Sequence, residues 1–236
     1  MIAVDVASAR ELFDANAATY DRVNTVISLG LDSRWRDWAA SQAFVRVGAR
    51  ILDAFSGTGK LALEEAALGG QVTMADASPG MLEVAMTRAR ERDLHLSAVT
   101  SDLSADPLVV AGAPFDAVTA MWGLRYVDDP AHVIANLASQ LVDSGRLVLV
   151  EFVEPGDALI SQMAAYYFFR ILPKIASTLA GRRELYRQLV ETTHHMGPVD
   201  RIVEMVESAG LKIVEVHMMG FGLVCGIVAE QTDGAA

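Results

Sequence analysis

Cysteine is almost absent from this chain. One thiol, Cys225, in 236 residues excludes an intramolecular disulfide and any cysteine-cluster metal site, and it suits a reducing, cytoplasmic setting. Basic residues are also scarce: 19 Lys and Arg stand against 30 Asp and Glu, for a net charge of −11 and a pI near 4.8. That balance argues against a nucleic-acid partner and against attraction to anionic lipid headgroups. Long apolar runs are missing too. The most apolar window, residues 158–172, is interrupted by Ser161, Gln162 and Arg170, so no membrane span is expected. Met1–Arg10 carries Asp5 and no apolar stretch, which does not read as a signal peptide. There is no internal repeat, and the only low-complexity tract is a short tail from Thr232.

What remains is an ordinary globular composition, 52% hydrophobic and 21% charged, at a length that fits one sizeable domain. Its organising stretch is Ile51-Leu-Asp-Ala-Phe-Ser-Gly-Thr-Gly-Lys-Leu61. A short buried strand ends at Asp53, Ser56–Gly59 form a tight turn, and Lys60–Leu68 reads as a helix. Glycines at 57 and 59 permit positive φ and let a ligand approach without meeting a Cβ. The helix N-terminus behind them offers N–H groups to an anion.

Gly57-x-Gly59-x-x-Ala62 satisfies the loose dinucleotide fingerprint, a weak match by itself. Asp53 argues against a dinucleotide, because an acid at the strand tip would repel a pyrophosphate. It suits S-adenosylmethionine (SAM), whose sulfonium and ammonium are cationic and whose carboxylate would face the helix N-terminus.

Ser8–Asn16, a helix capped by Thr19, and a third capped by Asp32 or Ser33 and running to about Val47 give a helical cap over residues 1–48. Trp35, Trp38 and Phe44 mark the apolar side of the third. Strands are predicted near 50–54, 71–76, 96–100, 115–121 and 145–152, with helices near 60–68, 79–92 and 131–141. This alternation predicts a doubly wound, mostly parallel α/β sheet forming a cofactor-binding core over 49–153. Ser144-Gly145 supplies a turn before the last of these strands. Residues 154–209 turn helical, broken by Pro173, Gly181 and Gly197-Pro198, and read as a lid. Two closing strands, Lys212–Met218 and Gly222–Glu230, are joined too closely for anything but antiparallel pairing. A parallel sheet of seven strands ending in such a hairpin is the Rossmann-like arrangement of class I methyltransferases, which again favours SAM over a dinucleotide.

In such sheets the ligand lies at the carboxyl ends of the strands. Asp76, closing the second strand, would accept hydrogen bonds from ribose hydroxyls, unless it serves only as a charge before the Ser78-Pro79 helix start. Asp102 would accept from an adenine amino group, with Met81 and Leu103 as apolar walls or as plain core. Met121-Trp122-Gly123 ends the fourth strand where the methyl group belongs. Trp122 would face the sulfonium or fill the space between sheet and lid.

These residues fall into a recognisable order. The chain resembles the ubiquinone/menaquinone biosynthesis C-methyltransferases in Leu12-Phe13-Asp14, Tyr20-Asp21, Asn24, Ser28-Leu29-Gly30 and Trp35-Arg36. The likeness continues through Asp53, Gly57-Thr58-Gly59, Asp76, Met81-Leu82, Phe115–Thr119, Gly123-Leu124-Arg125, Glu151-Phe152 and Pro155, then Tyr166–Phe168, Leu172-Pro173, Tyr186, Leu189 and Ala209-Gly210. It implies the class I fold, SAM as cofactor, and C-methylation of a quinol or phenolic small molecule that carries or lacks a prenyl tail. It implies Tyr20, Asp53, Gly57, Thr58, Gly59, Asp76, Met81, Asp102, Leu103 and Met121 at the cofactor. Asn24, Trp122, Tyr126, Tyr167 and Phe169 fall to the acceptor side. The departures cluster there: Tyr126 replaces the family's Asn after Gly-Leu-Arg, Lys60 replaces an acid after Gly-Thr-Gly, and Thr192 and Met196-Gly197 differ in the lid.

C-methylation of a phenol needs its hydroxyl ionised, hence a cation or base nearby. Arg125, matching the family's arginine, and the pair His194-His195 are the candidates. No His or acid stands at metal-ligand spacing from that pair, so no metal is expected. The alternatives are an O-methyltransferase of specialised metabolism, a SAM-binding cyclase, a non-catalytic SAM-binding subunit and, more distantly, an NAD-dependent reductase. A homodimer and a peripheral seat at a membrane remain open.

Overall fold

In the computed structural model, the described residues are 25, 28, 30–171, 193 and 196–231. The first two expected helices, Tyr20, Asn24, His194, His195 and the middle of the lid lie outside them.

Along the described chain run α1 (Asp32–Ala43), β1 (Arg50–Ala54), α2 (Lys60–Ala67), β2 (Gln71–Asp76), α3 (Pro79–Glu91), β3 (Ser97–Thr100) and β4 (Phe115–Met121). There follow α4 (Pro130–Ala138), β5 (Leu141–Phe152), α5 (Leu159–Tyr166), α6 (Val199–Ser208), β6 (Leu211–Met219) and β7 (Val224–Gln231). The seven strands are ordered β3-β2-β1-β4-β5-β7-β6. Pairing is parallel from β3 to β5, whereas β7 runs antiparallel to both β5 and β6. The closing hairpin predicted from the short Met219-Gly220-Phe221 connection is therefore present. Strand order reverses between β1 and β4, which opens a crevice at their carboxyl ends.

The central strands are legible because they are apolar along most of their length. Ile51, Leu52, Val72, Met74, Ala117, Val118 and Leu147–Val150 are all buried, as expected of a sheet covered on both faces. One face packs with Trp35, Ala39 and Ala43 of α1, Leu61 and Ala62 of α2, and Leu82 and Ala85 of α3. The other packs with Val133, Ile134 and Leu137 of α4, and Ile202 and Val206 of α6.

Several local expectations change. Leu31, with helical dihedrals and no side-chain cap, precedes α1, so neither Asp32 nor Ser33 caps it. Asp32 lies in the first turn with its carboxylate engaged elsewhere. The helix stops at Ala43, and Val47 is exposed beyond it. Ser144-Gly145 is not a turn before β5 but an irregularity within it: Phe115 pairs with Leu141 and Ala117 with Arg146, so the intervening residues loop out, with Ser144 at φ +58°. α6 is a sheet-covering helix rather than lid, which leaves α5 and the π-helical turn Tyr167–Ile171 as the described part of that layer.

Candidate active site

The β1–α2 turn bends through three left-handed residues, Phe55 (φ +57°), Gly57 (+51°) and Gly59 (+74°). The two glycines serve different ends. At Gly57 a Cβ would find nothing nearer than the Phe55 carbonyl oxygen at 4.0 Å, so this side of the turn is open. At Gly59 it would meet Ala85 Cβ at 2.6 Å, so this glycine admits α3 rather than a ligand. Across the crevice Trp122 is also left-handed (φ +65°), and a Cβ on Gly123 would collide with the Phe55 ring. Non-glycine residues held at positive φ on both lips of a cleft are strain concentrated at a site.

The cleft, of about 180 Å³, follows the carboxyl ends of β1, β2, β3 and β4. Of the sequence-predicted cofactor residues it is lined by Asp53, Gly57, Thr58, Asp76, Met81, Asp102, Leu103 and Met121, and from the acceptor side by Trp122 and Tyr126. Gly59 is not on its wall. Tyr167 lines a separate apolar cavity, and Phe169 packs half-buried against the core.

Asp76 is held in place by its backbone neighbours. The Gly57 N–H donates to Oδ2 and the Ser78 N–H to Oδ1, both at 2.8 Å. The two bonds fix the plane of the carboxylate in the wall of the cleft, where it can face a diol. Ser78 in turn caps α3, accepting from the Met81 N–H at 3.1 Å with Pro79 behind it. Asp102 is exposed, with Oδ1 accepting from the Ser104 N–H. Met81 and Leu103, each 3% exposed, form the apolar flanks of that end.

Asp53 differs from the sequence-based picture of an anion at the strand tip. It is buried, with Oδ2 accepting from the Ala62 N–H at 3.2 Å and Oδ1 facing the Thr119 hydroxyl at 3.4 Å. Burial, and then the neighbouring Glu65 carboxyl, push its pKa well above the ordinary carboxylate range. Glu65, wholly buried on α2, is itself raised by burial to about 8. Glu65 therefore holds a proton at neutral pH, and Asp53 beside it is pushed in the same direction. Nothing in the sequence marks Glu65, which reads as a solvated residue of an amphipathic helix.

Arg125 is not the surface residue that its position after β4 would allow. It is 4% exposed, pairs with buried Glu151 (Nη1 to Oε1, 3.2 Å), and lies behind the cleft wall, off its lining. Its guanidinium sits 5.0 Å from the Tyr126 ring centre, 5.1 Å from Phe152 and 5.5 Å from Trp122. Burial raises the Glu151 pKa, opposed by the Arg125 charge and by the backbone N–H of Phe152. Trp35, Trp122, Phe152 and Phe168 form a chain of rings with centroid separations of 4.6–6.3 Å, which divides the cleft from an apolar cavity of about 240 Å³ under α5.

Residues that sequence reasoning left unassigned also line the cleft: Phe55, Ser56, Lys60 and, from α1, Asp32 and Arg36. A diol-orienting carboxylate, an apolar slot at one end and cations at the other suit the ribose, adenine and amino-acid parts of SAM.

The comparisons with known proteins agree. The ubiE/COQ5 methyltransferase family matches residues 1–230. A demethylmenaquinone methyltransferase of Thermus thermophilus is 34% identical over 90% of this chain and 96% of its own length. A ubiquinone/menaquinone biosynthesis C-methyltransferase of Idiomarina loihiensis is 29% identical over 91% and 86%. Among solved structures, the SAM-bound magnesium protoporphyrin IX methyltransferase of Synechocystis PCC 6803 superposes with a TM-score of 0.63 over 97% of both chains at 19% identity. The [4+2]-cyclase SpnF does so with 0.64 over 85% of this chain and 81% of its own, also at 19% identity. Those two likenesses carry the fold alone. The chain belongs to the ubiE/COQ5 methyltransferase family and is a SAM-dependent methyltransferase of the class I fold.

Proposed function

We propose that the chain methylates a ring carbon of a quinol or phenolic small molecule. The observation that carries this reading is the aromatic wall at the end of β4, where Trp122 and Tyr126 line the cleft and Arg125 is stacked behind them. A flat, electron-rich acceptor stacks on such a wall. The names of the relatives in quinone biosynthesis point the same way.

SAM supplies an electrophilic methyl group. The task left to the protein is to align the acceptor carbon, exclude water and favour the ionised hydroxyl. Asp76, Gly57, Thr58, Met81, Asp102, Leu103 and Met121 hold the cofactor. Arg125 keeps its part in a changed form: with Glu151 beside it, it fixes the Trp122 and Tyr126 rings and places a positive charge behind them. His194 or His195 is the proton acceptor, Tyr20 contributes to cofactor binding and Asn24 to acceptor binding. The cavity beyond the ring wall, lined by Trp35, Phe152, Ile160, Met163 and Tyr167, takes an apolar appendage of the acceptor.

The acidic surface and the lack of a described helix long and apolar enough to cross a membrane fit a small-molecule enzyme of the cytoplasm. SpnF gives the second reading its footing, since a chain of this fold can be a cyclase. The test is turnover with labelled SAM against a panel of demethylated quinols and phenols, read by mass spectrometry. Label transfer to a quinol or phenol is the expected result. Intact SAM with every acceptor, or conversion without label, would overturn the proposal.

A further inference from the structure

Glu65 is wholly buried, and neither of its oxygens has a partner within hydrogen-bonding geometry among the described residues. Its place follows from helical spacing. Leu61, Ala62 and Glu65 stand three and four residues apart, on the side of α2 that covers the sheet. There its charge bears on Asp53, itself buried at the end of β1 yet part of the cleft wall. The pairing of β1 with β4 sets Thr119 beside Asp53.

Donors are few at this pair. Among the described residues Asp53 is reached by the Ala62 N–H at 3.2 Å and by the Thr119 hydroxyl at 3.4 Å. A hydroxyl has one proton to give, and the Leu52 carbonyl, also at 3.4 Å, competes for it. Two ionised carboxylates would be left largely uncompensated, and like charges sharing a buried site do not both ionise. The pair therefore keeps a proton of its own in the free protein. Asp76, on β2, adds its charge in the same direction. The other charged groups of the cleft wall are Asp32 and Arg36 on α1, Lys60 at the start of α2, and Asp102 after β3.

We propose that the Asp53–Glu65 pair is a proton-coupled counter-ion for SAM, giving up one proton to solvent when the positive charge of SAM enters the cleft and taking it back when the ligand leaves. The inference rests on the SAM assignment alone and stands whichever atom of the acceptor is methylated. A carboxylate that is always ionised would attract a cation equally across neutral pH. A pair that must first lose a proton binds the cation more tightly as pH rises. Glu65, which does not line the cleft, is here a positioning residue that acts through Asp53.

The test is calorimetry on the full chain, with each ligand titrated in two buffers of different ionisation enthalpy, which counts the protons exchanged. At about pH 6.5 the α-amino group of SAM, ordinarily titrating near 7.7–8.0, is already protonated and adds little to the count. SAM should release close to one proton, and its affinity should rise roughly tenfold per pH unit between about pH 5.5 and 7. Uncharged 5′-methylthioadenosine should release none and bind equally across that range. In the double variant Asp53→Asn with Glu65→Gln, the release on SAM binding should vanish and the affinity should no longer follow pH. A pair with a purely structural role would weaken SAM by one factor at every pH and leave the proton count unchanged. Histidines titrate in the same range but are common to both proteins, so release that persists in the double variant overturns the proposal. So does binding of SAM without release, or equal release with both ligands. These last two results are read on the unaltered protein, so the proposal stays refutable even if the double variant does not fold.

Discussion

Glu65 should destabilise the protein at neutral pH, and replacing it should reveal by how much. Its carboxyl is wholly buried on α2 above Asp53, and its pKa is raised from 4.5 to about 8. In the unfolded chain the group ionises at its ordinary value, so folding at neutrality must return a proton to it. The sign follows directly. The advantage of the folded state is complete below the unfolded pKa of 4.5, shrinks as pH rises, and is exhausted near the folded value of about 8. At pH 7 the gap is roughly 2.5 pH units at ~1.4 kcal/mol each, about 3 kcal/mol against folding. Glu65→Gln keeps the shape and removes the titration. It also relieves Asp53, whose own raised pKa owes its second-largest contribution to Glu65.

Urea unfolding of both proteins between about pH 5.5 and 8 reads the effect as a stability difference that widens by ~1.4 kcal/mol per pH unit in favour of the variant. Any packing change on substitution shifts that difference by a constant, so the slope is the signature. A difference that does not change with pH would refute the buried, proton-holding Glu65.

The remaining expectations concern the cofactor and acceptor residues. Asp76→Asn removes the charge that orients ribose contacts and should weaken SAM binding at least tenfold by calorimetry; unchanged affinity takes Asp76 out of the site. Arg125→Leu strands the Glu151 carboxyl in the core and should cost about 3–5 kcal/mol of stability, whereas Arg125→Met combined with Glu151→Leu should recover most of it. The double variant should still bind SAM within about threefold yet turn over far more slowly, and normal turnover would remove Arg125 from the reaction. Phe169→Glu should raise the acceptor KM and leave SAM affinity unchanged. Unfolding, or unaltered kinetics, would make that layer ordinary core.

Much of the scaffold was legible because sheet strands covered on both faces are apolar along their length. Arg50–Ala54, Gln71–Asp76 and Phe115–Met121 coincide with the predicted bounds. The Gly57–Gly59 turn was legible as well, but only the folded chain separates the open Gly57 from Gly59, whose missing Cβ makes room for Ala85. Partners distant in sequence were the blind spot. Glu65 lies 12 residues beyond Asp53 in a helical pattern that gives no sign of burial. Asp32 reads as a helix cap until Lys60, 28 positions later, is seen beside it. Arg125 looks exposed until Glu151 is placed against it by β4–β5 pairing. Helical periodicity does not say which surface a helix covers, so α6 reads as lid until Ile202 and Val206 are placed against the sheet.

The central claim is that this cleft directs a methyl group from SAM onto a carbon of an aromatic acceptor. The measurement that meets it most directly is carbon NMR of the product formed from SAM labelled with carbon-13 in its methyl group and a demethylated quinol. The account predicts a labelled methyl bonded to a ring carbon, with one equivalent of S-adenosylhomocysteine released for each product. A labelled methoxy group, or product formed while SAM stays intact, would contradict it.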